Sequence, residues 1–126
     1  MINKNLFLLP LLFLSNQIFS QTPSLQWVKT AVGSDTDVSS SVCVDADGNT
    51  FVEGYFSSPT LTFGSFTLYN KGMSDIFIVK NNQAGNVLWA KNFGGTDNDD
   101  ATAMALDKNN NIYLTGYLLK ISGQSQ

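Results

Sequence analysis

Short runs of hydrophobic residues, separated by clusters of Gly, Asn, Asp and Ser, make up the chain after residue 21. Some runs alternate apolar and polar positions and others are continuously apolar; both patterns are typical of β-strands when they are about four to eight residues long. No segment after residue 21 repeats its hydrophobic positions at the period of about 3.6 that a helix requires. Strands are predicted at residues 25–31, 39–45, 50–56, 75–80, 86–92, 101–107 and 112–118.

Turn-forming residues join these runs into hairpins. Residues 46–49 (ADGN) connect one pair of runs and residues 108–111 (KNNN) connect another. Gly and Asn accept the positive φ that tight hairpin turns need. The longer connection at residues 57–72 has an alternating pattern of its own and is predicted to form a small flap hairpin around Gly64 and Ser65.

The segments 27–56 and 89–118 are two copies of one pattern. They align without a gap at an offset of 62 residues, the distance from Trp27 to Trp89. A fixed period of this size indicates a repeat architecture. The identical pairs are Trp27 and Trp89, Lys29 and Lys91, Gly33 and Gly95, Asp35 and Asp97, Asp37 and Asp99, Asp45 and Asp107, Asn49 and Asn111, Gly54 and Gly116, and Tyr55 and Tyr117.

One period contains four predicted strands, and four antiparallel strands per repeat form a blade of a β-propeller. Two of the strands are apolar on both faces, as expected for a sheet packed between neighbouring sheets. We therefore predict an all-β fold, a partial β-propeller of four-stranded antiparallel blades that follows an N-terminal signal peptide. Its divisions are a signal peptide (1–20), a leader strand and loop (21–38), a first blade (39–92), half of a second blade (93–118) and a tail (119–126).

The motifs of the repeat also resemble a known family. They read W-x-K, G-x-D-x-D, V-D-x-x-G-N-x-F-V-x-G-Y-F and S-D-I-F-I-V-K followed by G-N-V-L-W-A-K, and residues 27–56 and 74–118 carry them. This pattern is similar to the bacterial seven-bladed β-propeller (SBBP) repeat. The resemblance implies a secreted or cell-surface protein of a Gram-negative bacterium, with many tandem copies.

The chain carries about one and a half repeats, whereas a closed propeller needs at least about four blades. We therefore expect a fragment of a longer propeller, or one piece of a ring assembled from several chains. The missing blades would come from further sequence or from self-association, because the second hairpin has an unpaired edge.

The first twenty residues resemble a secretory signal peptide. Lys4 precedes an apolar run at residues 6–14, and a polar stretch and a small residue follow. The run is too short to span a bilayer as a helix. We predict cleavage between Ser20 and Gln21, no stable membrane span afterwards, and a location outside the cell or on its outer surface.

The composition excludes several functional classes. The seven basic residues are all Lys, the net charge is −3, and no run clusters cations for nucleic acid. The absence of His excludes triads and His-based acid–base catalysis. The only glutamate, Glu53, is Thr115 in the second copy, so we interpret it as an outward-facing strand residue. The only cysteine, Cys43, is Ala105 in the second copy, which predicts a small buried position. We therefore predict no catalytic residue and no enzyme.

Two loops of the repeat, residues 33–37 and 94–100, are expected at the same end of the blades as the 57–74 connection. The candidate binding residues on this face are Asp35, Asp37, Asp97, Asp99 and Asp100. Calcium takes six to eight oxygen ligands, so these carboxylates are also the possible calcium site; otherwise they form turns. No other cofactor is predicted. Residues 45–49 superficially resemble an EF-hand opening, but their spacing indicates a hairpin turn.

These features predict a non-catalytic structural or adhesion-type binding module. Its ligand would be a protein or a carbohydrate, since the flap aromatics Phe63, Phe66 and Tyr69 can stack on a sugar or pack on the blade. The alternatives are a calcium-dependent carbohydrate- or protein-binding module and, second, a fragment of a propeller-type hydrolase, because paired carboxylates alone can hydrolyse glycosides.

Overall fold

A computed structural model describes residues 22–118 of the chain, so the predicted signal peptide (1–20), Gln21 and the tail (119–126) lie outside the described residues. All regular elements in this range are strands, which confirms the all-β prediction. They are β1 (Asp37–Val44), β2 (Thr50–Phe56), β3 (Thr60–Phe63), β4 (Phe66–Tyr69), β5 (Asp75–Asn81), β6 (Val87–Phe93), β7 (Asp99–Leu106) and β8 (Ile112–Leu118). Between residues 22 and 118, no helix is long and apolar enough to cross a membrane.

The four strands of one repeat form a single antiparallel sheet in the order β1-β2-β5-β6. This is the four-stranded blade that the period predicted. Val52 of β2 lies opposite Val42 of β1 on one side and Val79 of β5 on the other. Since side chains alternate along a strand, this register divides the sheet into two faces.

The flap hairpin, β3 and β4, covers one face of the sheet. It turns at Gly64, which has the positive φ that glycine accepts readily. Leu61 and Leu68 of the flap are buried against the blade. The buried members of this cluster are Phe56, Leu61, Leu68, Phe77 and Val79. The predicted flap is therefore present, and it packs on its own blade.

The second hairpin, β7 and β8, covers the opposite face. Met104 is buried together with Phe51 and Ile78 of the blade, and Trp89 packs against them. A polar contact adds to this packing, since the Cys43 thiol donates a hydrogen bond to the backbone carbonyl of Met104 at 3.1 Å. We call this contact between the blade and the second hairpin the seam.

Three hairpin turns share one construction. In each, the first side chain accepts hydrogen bonds from backbone amides two and four residues later: Asp45 from Asp47 and Asn49, Asn82 from Ala84 and Asn86, Asp107 from Asn109 and Asn111. The fourth residue has a positive φ: Gly48, Gly85 and Asn110. This arrangement explains why Asp or Asn, then Gly or Asn, recur at these spacings.

Gly54 and Gly116 both sit opposite a bulge. The register shifts between Ser39 and Ser41 in the first hairpin, and between Ala101 and Ala103 in the second. A Cβ at either glycine would collide with a backbone carbonyl of the facing strand. The repetition of glycine is thus a packing requirement inside each hairpin.

The predicted leader strand at residues 25–31 is not formed, and that prediction was wrong. An alternating pattern becomes a strand only where a neighbouring strand pairs with its backbone, and no described strand pairs with this segment. Instead the Trp27 ring lies over Gly85, and its indole nitrogen donates to the Gln83 carbonyl at 3.1 Å. A single bridge between Val32 and Thr62 then leads into the blade.

Candidate functional site

One end of the blade collects the loops that the sequence singled out. In the sheet register Asp37, Phe56 and Asp75 lie side by side, and a parallel bridge joins Ser74 to Asn98. The loops at 33–37, 57–59, 70–75 and 94–100 therefore lie at the same end, which we call the loop face. The five candidate aspartates all belong to it, but the structure gives them different environments.

Asp37 braces its own loop. Its carboxylate accepts hydrogen bonds from the Ser58 hydroxyl at 2.7 Å and the Ser58 amide at 3.2 Å. The same hydroxyl oxygen accepts from the Ser34 and Asp35 amides at 2.9 and 2.8 Å. Ser58 is fully buried, and nothing in the repeat pattern marked it, since position 120 of the second copy is Lys. Both carboxylate oxygens of Asp37 are therefore hydrogen-bonded within the loop region, and the side chain stabilises the loop.

Asp99, the equivalent of Asp37, also stabilises its own loop. It is fully buried, and its carboxylate accepts from the Gly95 amide at 2.6 Å. A Cβ at Gly33 would run into the Asp37 carboxylate in the first copy. The last aspartate of G-x-D-x-D therefore folds back toward the glycine four residues earlier, which explains the spacing of the motif.

The remaining three candidates are more accessible. Asp35 is exposed, and it accepts from the Thr36 amide at 2.7 Å. Asp97 and Asp100 are half-buried, and Asp100 accepts from the Ser74 hydroxyl at 3.0 Å. Their role in binding stays a prediction, with the candidate surface reduced from five carboxylates to these three.

Asp75 is a buried carboxylate that the sequence analysis missed. One of its oxygens accepts a hydrogen bond from the side-chain amide of Asn92 at 2.7 Å. The other, Oδ1, has no hydrogen-bond partner among residues 22–118. Gly94 leaves the space beside it, because a Cβ there would meet both Asp75 Oδ1 and Asp99 Oδ2. A sequence signal existed, because Asp75 begins the apolar strand of the S-D-I-F-I-V-K motif, but it lies outside the two aligned copies.

The Asp75 and Asp99 pair does not make a calcium site by the chemistry of its donors. No group of three or more His, Cys, Asp or Glu side chains in the described part of the chain is arranged to hold a metal ion. Two carboxylates, one of them already hydrogen-bonded to Gly95, fall well short of the six to eight oxygens that calcium prefers.

The three flap aromatics also differ in how far they are exposed. Phe63 packs on Phe77 with ring centroids 5.1 Å apart, and Phe66 is half-buried. Tyr69 is 67% exposed, and its carbonyl accepts from the Asn92 amide at 2.8 Å, which holds it at the loop face. Tyr69 is therefore the flap aromatic with the ring most open to a ligand, and the exposed Met73 lies on the same connection.

A groove of about 690 Å³ runs between the leader segment and the flap on the same face of the blade. Its walls include Trp27, Lys29, Phe63, Val79 and Val87. Asp35 and Asp37 also line it, so the groove reaches the loop face. No sequence pattern indicated this groove, because it depends on how the leader segment lies across the blade.

The aspartates of the hairpin turns serve the turns. Hydrogen bonds from the Asn49 side chain and backbone, together with nearby Lys80, hold the pKa of Asp45 below its ordinary value against the opposing effect of burial. Lys80 approaches Asp45 to 3.1 Å. The Asn111 amide lowers the pKa of Asp107 in the same way. The hydrogen bonds from Asn49 and Asn111 are internal to each turn, as the hairpin interpretation expects, whereas Lys80 reaches Asp45 from β5.

Glu53 is not the outward-facing residue that the sequence predicted. It is fully buried, neither carboxylate oxygen has a hydrogen-bond partner among the described residues, and this burial raises its pKa. Glu53 pairs with Ser41 and Ile78 on the sheet face that the second hairpin covers. Thr115 is exposed because no described element covers the second copy there.

The small buried position predicted from Cys43 and Ala105 needs the same correction. Cys43 is half-buried in the seam, whereas Ala105 is exposed. The repeat position is covered only where another hairpin packs on it, so burial belongs to the neighbour and not to the sequence position alone.

Comparison with known proteins agrees with the architecture. Residues 88–117 match the family of beta-propeller repeats named SBBP. An uncharacterized WD repeat-containing protein of Acanthamoeba polyphaga mimivirus is 33% identical over 96 residues, which is 71% of this chain. The chain spans only 7% of the length of that relative.

Proposed function

We propose that this chain, of which residues 88–117 match the SBBP beta-propeller repeat, is a non-catalytic binding module of adhesion type. Its binding surface is the loop face, and its ligand is a carbohydrate displayed outside the cell. The observation that carries the proposal is the exposed Tyr69 ring, which the contact of its backbone carbonyl with Asn92 holds at the same end of the blade as the loops that carry Asp35, Asp97 and Asp100.

The different roles of the loop aspartates support binding rather than catalysis. Asp37 and Asp99 are occupied by hydrogen bonds that shape their loops. The accessible carboxylates of Asp97 and Asp100 can accept hydrogen bonds from sugar hydroxyls, while a tyrosine ring offers a flat apolar surface with a polar tip. Binding sites commonly combine an apolar platform with a few polar groups that fix orientation.

The experiment is an immobilised panel of neutral and acidic glycans probed with the full chain, with Tyr69→Ala and with Leu25→Ala as the matched control. Leu25 is 81% exposed and lies outside the loop face. We expect at least a tenfold loss of affinity for Tyr69→Ala and none for Leu25→Ala. We expect binding to persist in chelator, because no group of three or more His, Cys, Asp or Glu side chains among the described residues is arranged to hold a metal ion. Failure of the full chain to bind any glycan, or equal affinity of Tyr69→Ala, would refute the proposal.

Export is a second part of the proposal, and it rests on the sequence of residues 1–20. Expression of the full chain in a Gram-negative host should yield a periplasmic or extracellular product that begins at Gln21. Mass spectrometry of the fractions measures this directly. An intact chain that starts at Met1 and stays in the cytoplasm would contradict it.

A further inference from the structure

The seam has two sides, and the repeat supplies a second copy of each. On the blade side, Cys43 and Phe51 contact the hairpin; on the hairpin side, Met104 and Leu106 contact the blade. Subtracting or adding the 62-residue offset converts each side into residues elsewhere in the chain. Cys43 and Phe51 become Ala105 and Tyr113, and Met104 and Leu106 become Val42 and Val44.

Both converted sides are exposed. Tyr113 is 58% exposed, and Val42 and Val44 are 63% and 62% exposed. We call Ala103, Ala105, Tyr113, Thr115 and Tyr117 the aromatic face, and Val42 and Val44 the valine face. The flap packs on Val52 of β2 and on residues of β5 and β6, and it leaves the valine face on β1 uncovered.

We propose that these two faces bind each other between molecules, so that a second copy of this chain docks on the first and repeats the seam. Tyr113 then takes the place of Phe51, and Val42 of the partner takes the place of Met104. The contact is heterologous: each docked molecule still offers one free face, and copies add head to tail into a ring or a filament.

The chemistry of the faces favours this contact. Neither face carries a charged side chain at the positions named. Ala103 and Ala105 replace Ser41 and Cys43, so neither of these two positions carries a polar side chain that would lose water when the backbones approach. Glu53, whose buried carboxyl has no described partner in the internal seam, is replaced by Thr115 in the intermolecular seam, which removes a buried acidic group.

Single-face variants test the proposal by complementation. Val42→Asp destroys the valine face and Tyr113→Asp destroys the aromatic face, each at an exposed position that tolerates a polar side chain. Size-exclusion chromatography with light scattering should show concentration-dependent oligomers for the full chain and monomers for each variant. An equimolar mixture of the two variants should give a dimer and nothing larger, because one intact face of each kind remains.

The controls keep the outcome decisive. Leu88→Asp, at an exposed β6 position outside both faces, should oligomerise like the parent chain. Every variant carries the same apolar run at residues 6–14, so differences between variants report the faces alone. Circular dichroism checks that the strands are retained. A monomeric parent chain at about 100 µM, oligomers of unchanged size in either variant, or a mixture that stays monomeric would overturn the proposal.

Cross-linking provides a second readout that does not depend on charge. In a Cys43→Ser background, a Val42→Cys chain and a Tyr113→Cys chain are mixed under mild oxidation. The proposal predicts a mixed disulfide dimer that forms at least tenfold faster than either homodimer. Equal rates for all three dimers would mean that the two faces do not meet.

Discussion

The first hairpin (β1–β2) and the second hairpin (β7–β8) are built from the same sequence pattern, yet they differ in burial. Phe51 is 2% exposed in the first, whereas its equivalent, Tyr113, is 58% exposed in the second. The first hairpin has another hairpin packed on this face, and the second has no described neighbour there. The repeat sequence therefore determines the hairpin, and the neighbouring element determines which positions become core.

Features internal to a hairpin are the same in both copies. The bulge opposite Gly54 recurs opposite Gly116, and the hydrogen bonds of Asp45 recur at Asp107. Features that face a neighbour differ, as Glu53 and Thr115 do. Paired substitutions at equivalent positions can separate the two kinds of constraint.

The largest difference is expected at the aromatic pair. Phe51→Ala should lower the free energy of unfolding by about 3–5 kcal/mol, because it removes a buried ring from the seam. Tyr113→Ala should change it by no more than about 0.5 kcal/mol in the monomer, because its ring is largely solvated. Urea denaturation at low protein concentration measures both. Equal losses would mean that the copies are equally buried.

The glycine pair should behave alike. Gly54→Ala and Gly116→Ala each place a Cβ against a backbone carbonyl of their own hairpin. Each should cost roughly 1–3 kcal/mol, since overpacking forces the backbone to shift. The same denaturation experiment applies, and a large loss at Gly54 with none at Gly116 would show that the constraint comes from the neighbour.

Glu53 should make stability depend on pH in a way that Thr115 does not. Burial raises its pKa, so its stabilising protonated state is fully present below the unfolded pKa of roughly 4.3 and is lost as the pH rises through the folded pKa. Glu53→Gln should remove this decline and gain on the order of 1 kcal/mol at neutral pH.

The matched control for that pH dependence is Thr115→Glu, which adds the same group at an exposed position. Thermal unfolding between pH 4 and 8 should show no new dependence in this variant. If Glu53→Gln retains the decline of the parent chain, another group is responsible for it.

The smallest effects are expected at the turn aspartates. Hydrogen bonds lower the pKa of both Asp45 and Asp107, so their contribution is present above the unfolded pKa of roughly 3.9 and is lost as the pH falls through the folded pKa. Asp45→Asn and Asp107→Asn should each lose less stability than the parent chain when the pH is lowered. The effect should be larger for Asp45, which also contacts Lys80. A larger effect at Asp107 would contradict this order.

Local patterns in the sequence were sufficient for the blade. Alternation and turn residues predicted the four strands of the sheet to within two residues, together with the flap at Gly64. They failed at residues 25–31, because alternation does not reveal whether a partner strand is present. They also failed at Glu53, because a repeat position that is exposed in one copy can be covered in the other.

The candidate site was only partly predictable for a related reason. The G-x-D-x-D motif located the loop face, but it did not separate Asp37 and Asp99, which brace the loops, from the more accessible aspartates. Ser58 and Asp75 were missed because they act through contacts from other segments, with Asp37 and Asn92 respectively. Such contacts depend on the docking of loops that are distant in sequence.

The central claim is that the second hairpin docks on the blade through the seam, and the single cysteine allows a direct test. Met104→Cys places a thiol next to Cys43, whereas Ala105→Cys places one on the opposite side of β7. After mild oxidation of the dilute full chain, thiol titration and non-reducing mass spectrometry should show an intramolecular disulfide in Met104→Cys and two free thiols in Ala105→Cys. Two free thiols in Met104→Cys, or equal oxidation of both variants, would contradict the docking of the two repeats.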